Sequence, residues 1–202
     1  MHISRKSLKD TISLVVIAST LLTPFKTYAA GYVISEDVVS EDAYIEYEFT
    51  FDIGAVQFPS QDNGRIVWKD DRNGNADIYM YDLNTGTETR ITSDSNIQRW
   101  PSISGDIIVW QDDRNTHWDI YMYDLGTDTE TRVTTDENDQ TQPCVYGDTI
   151  VWHDDRNYLV TANDIYMYDI ATTTESVLVD ELGDQYSPYI DNDVVVWEDN
   201  RG

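Results

Sequence analysis

Residues 107–124 read IIVWQDDRNTHWDIYMYD, and this stretch decides the fold because its pattern recurs along the chain. The tryptophan of the pattern returns at intervals of 42, 42 and 45 residues, at Trp68, Trp110, Trp152 and Trp197. Each of these tryptophans lies nine residues after a proline, and in three copies the run Asp-Ile-Tyr-Met-Tyr-Asp follows it. A fixed period of this length indicates a repeat architecture.

Each copy of the repeat predicts four short β-strands. The residues before each tryptophan form a β-branched run, which is typical of a strand buried on both faces. In residues 120–123, Ile-Tyr-Met-Tyr, aliphatic and aromatic side chains alternate, so both faces of this strand also need a neighbour. Segments rich in Asp, Asn and Gly separate the strands. Four antiparallel strands in about 42 residues predict an all-β fold, a β-propeller made of four-stranded blades.

The repeats extend from residue 46 to residue 202. Three full blades are predicted at about 57–92, 99–134 and 141–179, with a partial blade at 186–202. Residues 46–50 predict one further outer strand, because Glu46 precedes Pro59 by the spacing that the glutamates of the other copies show. An open arc of this kind exposes the face of its first blade, around Tyr79 and Met80, and the unfinished edge of its last blade. We therefore expect a homodimer or aggregation through open blade faces.

The first 29 residues predict a secretory signal peptide. Three basic residues precede the apolar stretch Ile12–Phe25, and Thr27-Tyr28-Ala29 supplies the small residues that fit cleavage after Ala29. Residues 30–45 are then a linker, and no later segment is apolar enough to span a membrane. An uncleaved N-terminal anchor is the alternative. The sequence thus predicts a protein that is secreted, at the cell surface or periplasmic.

Composition excludes several classes of function. The chain has 13 Lys and Arg residues against 38 Asp and Glu residues, a net charge of −25, which argues against nucleic-acid binding. Its one cysteine, Cys144, excludes internal disulfides and cysteine-based metal clusters, and is predicted to be buried and inert. The sequence contains no nucleophile elbow and no phosphate-binding loop. We therefore predict no catalytic residues, no cofactor and no enzymatic activity.

The run Ile-Val-Trp-x-Asp-Asp-Arg-Asn, followed by Asp-Ile-Tyr-Met-Tyr-Asp-Leu-x-Thr, resembles the TolB-like (WD40-like, or PD40) propeller repeats. The resemblance covers residues 46–202. It implies a propeller of the kind found in periplasmic TolB and in archaeal and bacterial cell-surface proteins. TolB carries an additional α/β domain before its propeller, and residues 30–43 are too few to form one. A surface protein built from such repeats is therefore the nearer likeness.

Two charged patterns are candidates for a site. Asp and Arg recur two residues apart in all four copies, and this spacing favours structural ion pairs. The alternative is a ring of ligand contacts around one mouth of the propeller channel. Asp71, Asn73, Asn75 and Asp77 alternate as oxygen ligands could around calcium, but the other copies do not keep the set and no glutamate occupies its twelfth position. We interpret this segment as an Asx-rich turn and predict no metal site. The two histidines of the repeats are too few for zinc.

The residue before the repeat proline differs in every copy and is Phe58, Trp100, Gln142 or Ser187. Because inner strands of a propeller begin at a channel mouth, Phe58 and Trp100 are candidates for a recognition surface, with packing as the alternative. The sequence therefore predicts an exported, non-enzymatic propeller module that binds a protein or a glycan at the cell surface or envelope. The alternatives are a fragment of a propeller enzyme, either a polysaccharide lyase or a peptidase-associated propeller, and a TolB-like periplasmic envelope protein.

Overall fold

The computed structural model describes residues 57–158 and 162–200, together with the backbone of three strands that precede them. The chain divides into two compact units, residues 1–56 and residues 57–202. Every regular element of the described residues is a β-strand, as the repeat pattern predicts. The described part of the chain contains no helix that is long and apolar enough to cross a membrane.

The first unit contains a three-stranded antiparallel sheet. Its strands are β1 (Leu14–Ala18), β2 (Glu36–Val38) and β3 (Ile45–Phe49), in the order β1-β3-β2. Strand β1 lies in the predicted signal peptide and β2 in the predicted linker, while β3 coincides with the predicted outer strand and is paired on both sides. The predicted cleavage site at Ala29 lies outside the described residues, and cleavage stays a prediction.

The second unit contains three four-stranded antiparallel sheets and one two-stranded sheet, each with its strands in chain order. These are the predicted blades and half-blade. The first blade consists of β4 (Gln57–Asp62), β5 (Arg65–Asp70), β6 (Asp77–Asp82) and β7 (Thr87–Arg90). The second blade consists of β8 (Gln98–Ser104), β9 (Ile107–Asp112), β10 (Asp119–Asp124) and β11 (Thr129–Arg132). The third blade consists of β12 (Gln140–Tyr146), β13 (Thr149–Asp154), β14 (Asp164–Asp169) and β15 (Thr174–Val179), and the half-blade consists of β16 (Gln185–Asp191) and β17 (Val194–Asp199).

Side chains from adjacent blades interdigitate to form the core. Val67 and Ile78 of the first blade pack with Trp110 of the second, and Val109 of the second blade packs with Trp152 of the third. This contact explains the β-branched runs of the sequence, because each central strand is covered on both faces. The buried tryptophans are the largest side chains of these cores and contribute a large share of the apolar area removed from water.

The expectation that the first blade exposes its face is wrong. Tyr79 and Met80 are buried, and so are the other apolar side chains of β5 and β6. Exposed apolar surface lies instead on the half-blade, where Val194, Val196 and Trp197 are exposed. These side chains are exposed because, within the described residues, the half-blade has no third strand and no blade packed beyond it.

Candidate functional site

The innermost strands of the four sheets, β4, β8, β12 and β16, lie side by side around a common axis. The Oγ of Ser60 accepts a hydrogen bond from the Ile103 amide at 3.3 Å, and the Oγ of Ser102 accepts one from the Val145 amide at 3.2 Å. Because the same step of 43 residues separates both pairs, the inner strands run parallel to one another and in register. All of them therefore begin at one end of the axis and finish at the other.

A β-bulge marks the beginning of each inner strand. The pairing register shifts at the repeat proline of every inner strand, and the residue before it has a positive φ of 52–56°. Proline donates no hydrogen bond to the ladder, so the bulge accommodates it. A bulge also redirects the side chain of the residue that it displaces. The residues with positive φ are Phe58, Trp100, Gln142 and Ser187.

The structure brings Phe58 and Trp100 together. Their ring centroids are 4.1 Å apart and their planes are inclined by 24°, so the rings stack. Trp100 is 36% exposed, and Phe58 is half-buried. The two sequence-predicted residues therefore pack on each other and still present an aromatic surface to solvent.

The two remaining members of this set are joined by hydrogen bonds. The amide and hydroxyl of Ser187 donate to Oε1 of Gln142 at 3.1 and 3.2 Å, and the amide of Gln142 donates to Oε1 of Gln111 at 3.0 Å. One half of this end of the axis is therefore aromatic, and the other half is polar.

Sequence reasoning missed a second variable position at the same end. The residue after the repeat tryptophan lies opposite the inner-strand residue that immediately precedes the residue with positive φ, and is Lys69, Gln111, His153 or Glu198. Its cross-strand partner is Gln57, Arg99, Thr141 or Tyr186. Aligning the four copies gives the signal, since this residue changes between a constant tryptophan and a constant aspartate. We call the end formed by these residues and by the four residues with positive φ the first mouth.

Basic groups of the first mouth lie close to other side chains. The guanidinium carbon of Arg99 lies 4.2 Å from the ring centroid of Trp118, and Lys69 pairs with Asp71 at 3.2 Å. His153 Nδ1 lies 3.4 Å from the hydroxyl of Thr141. The first mouth thus combines a stacked aromatic pair with basic side chains, in a chain whose net charge is strongly negative.

The recurring Asp–Arg pairs of the three full blades each lie within a single blade, and Arg201 of the fourth copy lies outside the described residues. In the second blade, Asp112 is fully buried and accepts hydrogen bonds from Trp110 Nε1 at 3.1 Å and from Arg114 Nη2 at 2.6 Å. Arg114 also pairs with Glu130 on the outer strand at 2.6 Å and covers the ring of Tyr121 at 4.3 Å. The first and third blades repeat this cluster. These pairs hold the second, third and fourth strands of each blade together, which agrees with the structural interpretation.

The four candidate calcium ligands have separate protein partners. Asp71 pairs with Lys69, Asn73 donates to the Tyr79 hydroxyl, Asn75 donates to the Asp94 carbonyl at 2.7 Å, and Asp77 pairs with Arg90 at 2.7 Å. Burial raises the pKa of Asp77, although Arg90 opposes this shift. The described residues contain no group of three or more His, Cys, Asp or Glu side chains placed to hold a metal ion.

A cavity lies at the other end of the inner strands. It is lined by residues 60–63, 102–105, 144–147 and 189–191, and has a volume of about 580 Å³. We call it the groove. Cys144 lines the groove and is half-buried, not buried as the sequence analysis expected. Its Sγ lies 3.9 Å from the hydroxyl of Ser102.

Comparison with known proteins identifies the fold. No family model and no curated protein sequence matches this chain. TolB from Acinetobacter baumannii is 24% identical with a TM-score of 0.54, over 70% of this chain and 37% of TolB. A structure assigned as TolB from Agrobacterium tumefaciens is 18% identical with a TM-score of 0.57, over 71% of this chain and 57% of that one. A puromycin-hydrolysing peptidase from Mycobacterium tuberculosis is 13% identical with a TM-score of 0.56, over 73% of this chain and 25% of the peptidase.

These likenesses confirm, at the level of the fold, the resemblance that the repeats indicate. The chain has a TolB-like β-propeller fold of three full blades and a half-blade. It spans 37% and 57% of the two TolB structures.

Proposed function

We propose that this TolB-like propeller chain is a non-enzymatic binding module that recognises a protein or a glycan at its first mouth. We further propose that it is exported and works at the cell surface or in the envelope. One observation carries the proposal. Three positions at which all four copies carry different residues meet at the first mouth, while the Trp–Asp–Arg framework of the blades is the same in every copy.

This division between constant and variable positions is what a repeat scaffold with one binding surface requires. Identical units keep the same interior, because each blade must pack on the next. Recognition of a ligand has no such symmetry, so its residues need not repeat. The variation at positions 57, 58 and 69 and their equivalents therefore favours recognition over packing.

The chemistry of the first mouth suits a sugar ring or an apolar side chain. The Phe58–Trp100 stack offers a flat apolar surface, and Trp100 is exposed enough to contact a ligand. Rigid aromatic side chains supply much of the binding energy of protein interfaces. Lys69, Arg99 and His153 can donate hydrogen bonds to hydroxyl or carboxylate oxygens beside that surface.

Loss of the aromatic stack tests the proposal. The chain is screened against purified polysaccharides and purified envelope proteins, and the affinity of any ligand is measured for Trp100→Ala and Phe58→Ala. Each substitution is expected to weaken binding by about tenfold or more, the effect of removing an interface hot spot. Tyr158→Ala is the matched control, because Tyr158 is an exposed aromatic residue outside the first mouth. Equal affinity of all three variants and the unmodified chain contradicts the proposal.

The peptidase likeness favours a second candidate function, that of a propeller from a peptidase or another enzyme. Incubation of the chain with peptide and polysaccharide substrates, with and without divalent metal ions, separates the two candidates. Turnover that follows the purified chain through successive chromatographic steps would support the enzyme and exclude a purely binding role.

A further inference from the structure

We propose that the groove is a second binding site, separate from the first mouth, and that it takes a basic peptide segment. In this proposal the carboxylates of Asp62 and Asp191 and the rings of Tyr146 and Tyr189 receive a lysine or arginine side chain. The site goes beyond the proposed function, since it lies at the opposite end of the inner strands and shares no residue with the first mouth.

The groove has the size and charge of a cation site. Its volume of about 580 Å³ lies within the range of ligand pockets and exceeds the room that a single ammonium group needs. Its lining includes the carboxylates of Asp62 and Asp191 and contains no Lys, Arg or His side chain. A cleft lined by one sign of charge concentrates ligands of the opposite sign.

Two tyrosine rings give the groove a second way to bind a cation. Tyr189 is 59% exposed and Tyr146 is 38% exposed, although both lie on inner strands. The Tyr146 hydroxyl donates to Oδ1 of Asn192 at 2.7 Å, which fixes the position of that ring. Ammonium and guanidinium groups bind to tyrosine faces, and Arg does so more often than Lys.

The repeat does not require tyrosine at positions 146 and 189. The position of Tyr189 is serine in the first two copies, at Ser60 and Ser102, and the position of Tyr146 is aspartate or serine in the other copies. Those serines bond to the amides of the next inner strand, which is a structural role. The tyrosines therefore add aromatic surface at positions where a small polar side chain is sufficient for the fold.

Arg65, the basic residue at the edge of the groove, is already paired with a carboxylate. Arg65 Nη1 donates to the Gly105 carbonyl at 3.2 Å and pairs with Asp106 at 2.5 Å. Asp62 accepts hydrogen bonds from the Gly105 amide at 2.6 Å and from Asn63 Nδ2 at 3.1 Å. A carboxylate has about four acceptor positions, so Asp62 can accept a hydrogen bond from a ligand as well.

A peptide fits the groove better than a small amine does. The ends of four neighbouring strands line the groove, so flanking backbone of a peptide can follow it while one basic side chain is bound. The net charge of −25 also steers basic segments toward the chain. A free polyamine supplies the charge without the backbone, and the experiment distinguishes the two ligands.

The single cysteine of the chain provides a reporter that is specific to the groove. Because Cys144 lines the groove, its reaction with dithionitrobenzoate reports occupancy there and not binding elsewhere on the acidic surface. At physiological salt, a short peptide containing lysine and arginine is expected to slow this reaction by about tenfold at saturation. A matched peptide with glutamate at those positions should leave the rate unchanged. An unchanged rate with the basic peptide, or equal protection by spermidine, overturns the proposal.

Variants of the lining locate the effect. Combined Asp62→Asn and Asp191→Asn substitutions, and separately Tyr189→Ala, are expected to raise the protecting concentration of basic peptide by about tenfold. Glu137→Gln combined with Asp180→Asn is the matched control, because it removes the same charge from exposed positions outside the groove. Equal loss of protection in the control shows general attraction to an acidic surface and overturns the proposal. Because Tyr189 is exposed, Tyr189→Ala should fold even if the combined Asp variant does not. Trp100→Ala changes the first mouth and should leave the protection of Cys144 unchanged.

Discussion

Replacing Arg114 by alanine tests whether the Trp–Asp–Arg–Glu cluster stabilises each blade. Asp112 is fully buried and accepts hydrogen bonds from Trp110 Nε1, from the Arg114 amide at 3.0 Å and from Arg114 Nη2. Burial opposes the charge of Arg114, but its hydrogen bonds to Asp112 and Glu130 outweigh that effect and raise the pKa of the guanidinium. The substitution therefore removes a permanent positive charge and leaves the Asp112 carboxylate in the interior.

The magnitude follows from these contacts. Breaking a buried ion pair by removing one partner costs about 3–5 kcal/mol, and loss of the contact with Tyr121 adds about 0.5–1 kcal/mol. We expect the free energy of unfolding to fall by about 4 kcal/mol, a large part of the stability of an ordinary domain. For a chain of this size, that loss lowers the melting temperature by about 8–16 °C.

Urea unfolding followed by tryptophan fluorescence measures the change, and hydrogen exchange locates it in the second blade. Arg65→Ala is the matched control, because Arg65 pairs at 2.5 Å with Asp106, which is exposed, and reaches Asp82 only at 3.8 Å. Exposed pairs of this kind contribute less than about 1 kcal/mol. Adding Asp112→Asn to Arg114→Ala should restore part of the stability, since the buried charge is then absent. If Arg114→Ala costs no more stability than Arg65→Ala, or if the double variant is less stable than Arg114→Ala, the cluster does not stabilise the blade through its buried ion pair.

Four further outcomes are expected. Burial raises the pKa of the phenols of Tyr79, Tyr121 and Tyr166 above the ordinary value of about 10. The buried phenols therefore contribute their full stabilisation below about pH 10, and this stabilisation is lost as the pH rises through the folded pKa. Phenolate absorbance measures the pKa, and alkaline unfolding measures the loss of stability. Millimolar calcium should raise the melting temperature no more than magnesium does, because the side chains of residues 71–77 already bond to protein groups; a rise specific to calcium contradicts this. Secreted protein should begin at Ala30 by intact-mass measurement, and retention of Met1 would show that the leader is not removed. The isolated chain should associate through the exposed face of β17, and a compact monomer across a dilution series in light scattering would contradict that expectation.

The period and the alternation of apolar residues were sufficient to predict the blades. A strand buried on both faces leaves a β-branched run, and a turn leaves Asp, Asn and Gly, so the four strands of each copy could be located. Aligned copies would also have pointed to Lys69 and its equivalents, since they vary between two constant residues. The groove could not be predicted in this way. Its lining depends on how the ends of four inner strands converge, which no single copy encodes, and the half-burial of Cys144 follows from that convergence.

The repeat tryptophans show that burial in this chain depends on the neighbouring strands and not on the local sequence. Trp68, Trp110 and Trp152 follow a β-branched run and are at most 1% exposed, whereas Trp197 follows Val-Val-Val and is 36% exposed. The first three tryptophans each stack near a tyrosine of the next strand, at centroid distances of 6.1–6.2 Å. Trp197 lies on β17, the last strand of its two-stranded sheet, so within the described residues no third strand supplies that tyrosine. Four nearly identical motifs therefore have two different environments, and the difference lies in what packs beside them.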